Sequence, residues 1–143
     1  MELQQFITFV LHHWALWLLF ALLIGLLAFE ELKGKLTGSS SLSLQQATAM
    51  MSHEEAVVLD IRDSAVYQQG HILGAVTIPG VLLANELQRI EKHKNAAIIV
   101  VCNLGQSAVG VAAMLRKQGF SRVYTLDGGM SAWKNAGLPS VKE

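Results

Sequence analysis

The chain carries a single cysteine, Cys102, and its surroundings suit a nucleophile. It follows the apolar run Ala97–Val101, and Asn103-Leu104-Gly105-Gln106-Ser107 separates it from an alanine-rich segment that reads as helix. A compact loop with a central glycine, leading into a helix, curls main-chain N–H groups towards its head. The helix dipole adds about half a positive charge at the same place. Sulfur held there is stabilised as the thiolate, its nucleophilic form. Such a thiolate suits attack on a sulfur or similar electrophile, with the product held as a covalent persulfide. Gly105, Gln106, Ser107 and Ala108 are the expected main-chain donors. A second reading makes Cys102 a small hydrophobe that finishes a buried strand, as free cysteines often do.

Positioning such a loop requires a particular set of elements. Ser43 is placed to cap a short helix over 44–51, with Leu44, Ala47, Met50 and Met51 on one face. Residues 57–61 read as a buried strand, Ser64–Gln69 as a brief helix closed by Gly70, and 75–78 as a short strand stopped by Pro79-Gly80. Residues 81–92 show helical spacing, with Leu82, Leu83, Leu87 and Ile90 on one face. The unbroken apolar run Ala97–Val101 marks a strand covered on both sides. Residues 107–118 read as helix, with Val109, Ala112, Ala113 and Leu115 inward and Gly119 at its C-terminal cap. A strand over 123–126 and a helix over 130–136 complete the pattern. Strands alternating with helices imply an α/β domain around a mainly parallel sheet flanked by helices.

In such sheets ligands gather beyond the carboxyl ends of the strands. Three groups should therefore converge there: Asp60-Ile61-Arg62-Asp63, Cys102 with its loop through Ser107, and Asp127-Gly128-Gly129. Asp60 is placed either to orient the loop amides or Arg62, or simply to form a structural ion pair with Arg62. Gly128-Gly129 permits a tight turn beside the loop. Trp133 reads as core and His71 as a hydrogen-bonded structural histidine, whereas His53 and His93 read as surface.

The N-terminal part is of another kind. No Asp, Glu, Lys or Arg occurs between Leu3 and Phe29, although the chain has eleven basic and eleven acidic residues. Residues 6–29 would reach about 36 Å as a helix, enough for a hydrocarbon core of about 30 Å. The uninterrupted part, 14–29, spans about 24 Å. His12, His13, Trp14 and Trp17 are accordingly placed at one interface, with the span running on to Leu32. A cleaved leader would need a basic start and a small-residue cleavage site. Residues 1–5 lack Lys and Arg, and the run ends in Leu-Ala-Phe-Glu-Glu. Lys33 and Lys35 follow the span with no basic side chain before it, which puts the C-terminal part in the cytoplasm. The expected organisation is a transmembrane anchor over 1–32, a linker over 33–43 containing the polar patch 37–41, and a domain over 44–143.

Charge balance and cysteine usage exclude several classes. Zero net charge leaves no basic excess for nucleic acid. One cysteine excludes a disulfide framework and any cysteine-based zinc cluster. A lone thiol also suits a reducing compartment.

Taken together, the segments Leu59-Asp60-Ile61-Arg62-Asp63, Tyr67, Gly70-His71-Ile72-Leu73-Gly74-Ala75 and Ile78-Pro79-Gly80 form a recognisable series. It continues with Ile98 to Ala108 and with Gly119-Phe120 through Trp133 to Gly137-Leu138-Pro139. In order and spacing, 44–143 resembles a single-domain rhodanese-like protein. With its apolar leader the chain most resembles the bacterial membrane-anchored members. That resemblance implies that Cys102 accepts a sulfane sulfur from a donor such as thiosulfate and passes it to a thiophilic acceptor, with no metal or organic cofactor. Many members carry arginine at the positions of Asn103 and Ser107, where this loop has no cation. The related phosphatase branch carries arginine six positions after its cysteine; Ala108 stands there instead.

The expected protein is a sulfurtransferase tethered to the cytoplasmic face of a bacterial inner membrane. Cys102 is its nucleophile, and residues Asn103, Leu104, Gly105, Gln106, Ser107 and Ala108 form the persulfide loop. Asp60, Arg62, Gly128 and Gly129 support that loop. Its partners would be a small sulfur-containing substrate, the lipid bilayer and a membrane protein. The competing expectation is a membrane-bound interaction module that keeps the fold with weak catalysis or none.

Overall fold

A computed structural model describes residues 2–36 and 41–142, with the side chains of 33–36 left aside. The chain divides into two compact units, Met1–Gly38 and Ser39–Glu143. Residues 37–40, most of the expected polar patch, lie outside the described residues, as do the side chains of Lys33 and Lys35.

In the first unit, α1 (Leu3–His12) and α2 (Trp14–Leu36) are separated by a turn at His13. Within α2, Trp14–Leu32 is 19 residues long and apolar, or about 28 Å of helix. None of that stretch is buried. By length and composition it is able to cross a bilayer.

The second unit is an α/β domain built on a five-stranded parallel sheet. Its elements are β1 (Ser41–Leu42), α3 (Leu44–His53), β2 (Val57–Asp60), α4 (Ser64–Gln69), β3 (Val76–Thr77), β4 (Ala97–Val101), α5 (Gln106–Lys117), β5 (Arg122–Leu126) and α6 (Gly129–Asn135). In space the strands run β1-β5-β4-β2-β3. From β2 the chain moves outward to β3, and from β4 outward the other way to β5. The topological switch point therefore lies between β2 and β4, where ligands settle in open sheets.

Local chemistry explains most boundaries. Ser43 Oγ accepts from the Gln46 N–H at 3.2 Å, and the Ser43 N–H donates to Gln46 Oε1 at 3.0 Å. That reciprocal capping starts α3 where the sequence expected it. All five residues of β4 are buried, because helices cover both faces of the sheet. Ile98 and Val100 enter one core with Leu59, Leu83, Ile90, Ala112 and Leu115. Ile99 and Val101 enter the other with Ala47, Val58, Tyr67, Met130 and Trp133. The period-two alternation of a strand thus becomes a continuous apolar run when both sides are dry.

Three sequence expectations need correction. Residues 81–92 are not an α-helix but three successive 3-10 turns, Leu83–Asn85, Leu87–Arg89 and Glu91–His93. Glu86 and Ile90 join them with φ near −114° and ψ near 16° and 0°. The segment must cross β2 to reach β4 while burying both Leu83 and Ile90. A 3-10 path rises about 2.0 Å per residue against 1.5 Å in an α-helix, so it spans more with the same anchors. Leu82, expected inward, is 43% exposed.

On α5, Val109 is 46% exposed, and Ala108, Ala112 and Leu115 form the buried stripe instead. An alanine at the first inward position lets the start of the helix lie close against the sheet. Ser41–Leu42, read as linker, is an edge strand paired with Thr125 and Leu126 of β5. Two residues are too few to show a strand periodicity.

Unfolding in urea will separate the two readings of 81–92. Ile90→Ala is expected to cost about 2–5 kcal/mol, the usual range for emptying a buried aliphatic site. Leu82→Ala should cost less than about 1 kcal/mol. Equal losses would restore the amphipathic α-helix.

Candidate active site

Asp60 of β2 is level with Val101 of β4, and Val100 is level with Thr125 of β5. Cys102 therefore emerges one residue past the sheet edge, beside the switch point. The Ile61 N–H donates to the Val101 carbonyl at 3.0 Å, continuing the ladder to the edge of the site.

Past Cys102 the chain turns through Asn103, Leu104 and Gly105 into α5, with Gly105 at the N-cap and φ +93°. A Cβ at Gly105 would lie 3.2 Å from the Gly128 nitrogen and 3.3 Å from the Leu126 carbonyl oxygen. Both the left-handed backbone and the crowding call for glycine. In this conformation the Gly105 N–H donates to Cys102 Sγ at 3.0 Å. A donor aimed at sulfur solvates negative charge there. Among the described residues, no hydrogen bond within the protein engages the N–H groups of Gln106, Ser107 or Ala108. These are the unpaired donors that the first turn of any α-helix leaves over.

The loop is held from beneath by α6. The Met130 N–H donates to the Cys102 carbonyl at 2.8 Å, and the Ser131 N–H donates to the Asn103 carbonyl at 3.0 Å. A Cβ on Gly129 would lie 2.3 Å from the Cys102 carbonyl oxygen and 2.7 Å from that of Asn103. No side chain fits between the two elements. Gly128, the N-cap of α6, supplies the left-handed turn that delivers the helix to this point. The sequence placed Gly128-Gly129 beside the loop; the two amide clamps carry no sequence signal, because any residue supplies an N–H.

A cleft of about 270 Å³ opens above the sulfur, lined by Arg62, Asp63, Cys102, Asn103, Leu104, Gln106 and Ser107. Cys102 itself is only 5% exposed and also touches the core. It thus combines both sequence readings, a strand-end hydrophobe that still lines the cleft. Ala108 is fully buried and does not line it. Gly105 does not line it either, and it reaches the sulfur through its amide.

Asp60 and Arg62 form a buried pair. Arg62 Nε donates to Asp60 Oδ1 at 2.9 Å and Oδ2 at 3.1 Å, and Nη2 donates to Oδ2 at 2.6 Å. The Arg62 N–H adds a bond to Oδ1 at 3.0 Å, and Nη2 reaches the Gly70 carbonyl at 2.8 Å. Asp60 thus orients Arg62 and makes no bond to the loop amides. Arg62 Nη1 is buried without a hydrogen-bond partner among the described residues.

His71 is buried away from the cleft. Its ring stacks on Tyr67 at 3.7 Å and its Nδ1 lies 2.9 Å from the Tyr67 carbonyl. Trp133 is likewise core, its indole N–H donating to the Pro139 carbonyl at 3.0 Å. Among the described residues, no cluster of His, Cys, Asp or Glu is arranged to hold a metal. Asp63, which the sequence placed in the group converging at the end of β2 without giving it a role, lines the cleft as well. Its place directly after Arg62, at the mouth of α4, was the available signal.

Gly129→Ala tests the clamp. The added methyl would meet backbone atoms that have nowhere to move, so a loss of about 3 kcal/mol or more is expected in urea unfolding. A cost below about 1 kcal/mol, Gly129→Ala then behaving as an ordinary surface change, would show the loop and α6 to be separable.

The model of the Rhodanese-like domain matches residues 43–136. The Escherichia coli K12 protein YibN is 31% identical over 144 residues, covering 98% of this chain and 99% of that protein. The thiosulfate sulfurtransferase GlpE of Pseudoalteromonas translucida is 39% identical over 95 residues, covering 66% of this chain and 89% of that one. Among solved structures, a rhodanese-related protein from Thermoplasma volcanium superposes with a TM-score of 0.66 at 22% identity. It covers 73% of this chain and 99% of that one, a likeness of fold alone. Parallel sheet, strand-end cysteine, glycine-turned loop and the match over 43–136 agree: this chain belongs to the rhodanese-like domain family.

Proposed function

We propose that the protein is a membrane-tethered sulfurtransferase with Cys102 as its nucleophile. Cys102 accepts a sulfane sulfur, a sulfur atom bonded to another sulfur as in thiosulfate. Its thiolate attacks that atom, the donor's S–S bond breaks, and the leaving group departs with the bonding pair. The resulting persulfide occupies the cleft until a thiophilic acceptor attacks its outer sulfur and returns Cys102 to the thiolate. The observation that carries this reading is the 3.0 Å contact from the Gly105 N–H to Sγ at the head of a cleft. The free amides of Gln106, Ser107 and Ala108 support it as donors to the terminal sulfur. Asn103, Leu104 and Ser107 shape the walls, Asp60 and Arg62 brace the rim, and Gly128 and Gly129 permit the clamp below.

The apolar stretch Trp14–Leu32 supports a single-pass anchor in a bacterial inner membrane. Lysines after the span and none before it support a domain facing the cytoplasm. Anchoring also favours a partner that itself resides in the membrane.

Two measurements test these proposals. In the full chain, incubation with sulfane-sulfur donors should add the mass of one sulfur atom to Cys102, and cyanide should remove it as thiocyanate. Cys102→Ala should abolish the adduct and lower turnover by about 10³-fold or more with the unfolding midpoint unchanged. An unmodified Cys102 after several donors would sink the reading and leave a scaffold. For topology, a reporter fused after Glu143 should be active only in its cytoplasmic form. A signal from the opposite compartment would reverse the orientation.

A further inference from the structure

Charge separates the sulfane-sulfur donors open to this cleft. Arg62 is the one cation among its lining residues, and its guanidinium is already committed. Nε and Nη2 lie against the Asp60 carboxylate at 2.6–3.1 Å, and Nη2 also serves the Gly70 carbonyl. Nη1 has no partner among the described residues, yet it is buried in protein and is not presented to a ligand.

Asp63 is the other charged residue of the lining, and it is exposed. Its carboxylate does not cap α4, and among the described residues it pairs with no cation. Asn103, Gln106 and Ser107 add polarity without charge. The side chains of the cleft therefore present a net negative charge, balanced only by main-chain amides and the start of α5. At the tip of the loop, Leu104 is 65% exposed and offers an apolar contact to whatever carries the sulfur.

We infer that the donor is a thiol-borne persulfide, R–S–SH, on a neutral or apolar carrier, and that thiosulfate is a disfavoured surrogate. A dianion entering here meets the unpaired Asp63 carboxylate and finds no available cation. A hydropersulfide carries at most one negative charge against the two of thiosulfate, reacts as an electrophile in its protonated, neutral form, and has an R group that meets Leu104. The Cys102 thiolate attacks the terminal sulfur, forming the new S–S bond as the donor's S–S bond breaks. R–S⁻ leaves with the bonding pair, and the proton of the terminal sulfur stays on the new hydropersulfide. The inference rests on the sulfurtransferase reading and narrows its substrate.

The test uses the reduced full chain in detergent micelles. Thiosulfate, or a hydropersulfide with an uncharged alkyl group generated in situ, is added in excess, and single-sulfur loading of Cys102 is followed by intact mass. Cys102→Ala is the blank. Because the donors differ in intrinsic reactivity, the response of their rate ratio to charge is decisive. The wild-type chain should load faster from the hydropersulfide. Ser107→Arg should raise the thiosulfate-to-hydropersulfide ratio roughly tenfold, and Asp63→Asn roughly threefold, both gains shrinking as salt rises. Equal or faster loading from thiosulfate in the wild-type chain, or a ratio that neither variant moves, overturns the inference. Loading from neither donor, with the chain folded, instead removes the sulfurtransferase reading beneath it.

Discussion

The hydrogen bond from the Met130 N–H to the Cys102 carbonyl, at 2.8 Å, governs the geometry of the whole site. It forms because Gly129 has no side chain, so the start of α6 reaches a distance from the loop that a Cβ would occupy. With the carbonyls of Cys102 and Asn103 turned down onto α6, the following peptides turn the other way. The Gly105 N–H then meets the sulfur, and α5 leaves with its first-turn amides unspent. A single close approach of backbone to backbone thus sets both the sulfur's environment and the direction of the next helix. An unpaired buried carbonyl at that position would cost about 1–3 kcal/mol, which is why the clamp is a part of folding as well as of chemistry.

The buried Asp60–Arg62 pair has a different task. Its two charges cancel within a bidentate contact, and Arg62 spends a further N–H on the Gly70 carbonyl. The pair therefore ties the end of β2 to the end of α4, where Gly70 leads into His71 and its stack on Tyr67. The net worth of such a pair to stability is small, but either partner left alone in the interior would be costly. What reaches the cleft is a rigid wall with little free charge. The electrostatic character of the opening is then decided by main-chain dipoles and by Asp63, whose carboxylate stays in solvent.

Much of this was legible from residue order. Ser43 announced α3, Gly70 closed α4 where expected, and Ala97–Val101 declared itself covered on both faces. Those signals are local: a cap, a glycine stop and a run of apolar side chains each act within a few residues. The 3-10 path over 83–93 was illegible because Leu82, Leu83, Leu87 and Ile90 satisfy a helical spacing equally well. What tells the two paths apart is tertiary, since the segment must pass β2 on its way from β3 to β4. Val109 misled for a related reason, since a stripe beginning at Ala108 or at Val109 is equally periodic until the helix is docked. Ser41–Leu42 becomes a strand solely because β5 offers an unpaired edge.

Residue types alone determined that one thiol sits at a strand end before a glycine-turned loop, that the domain alternates strands with helices, and that an apolar segment precedes it. Each follows from chemistry that side chains carry wherever they lie. Tertiary structure decided which of the expected amides meets the sulfur, which of the roles open to Asp60 it takes, and that Asp63 stands unpaired at the cleft. These depend on main-chain groups identical in every residue and on charges whose partners are chosen by distance. Residue order offers the alternatives, and the choice among them is made when the sheet brings its carboxyl ends together.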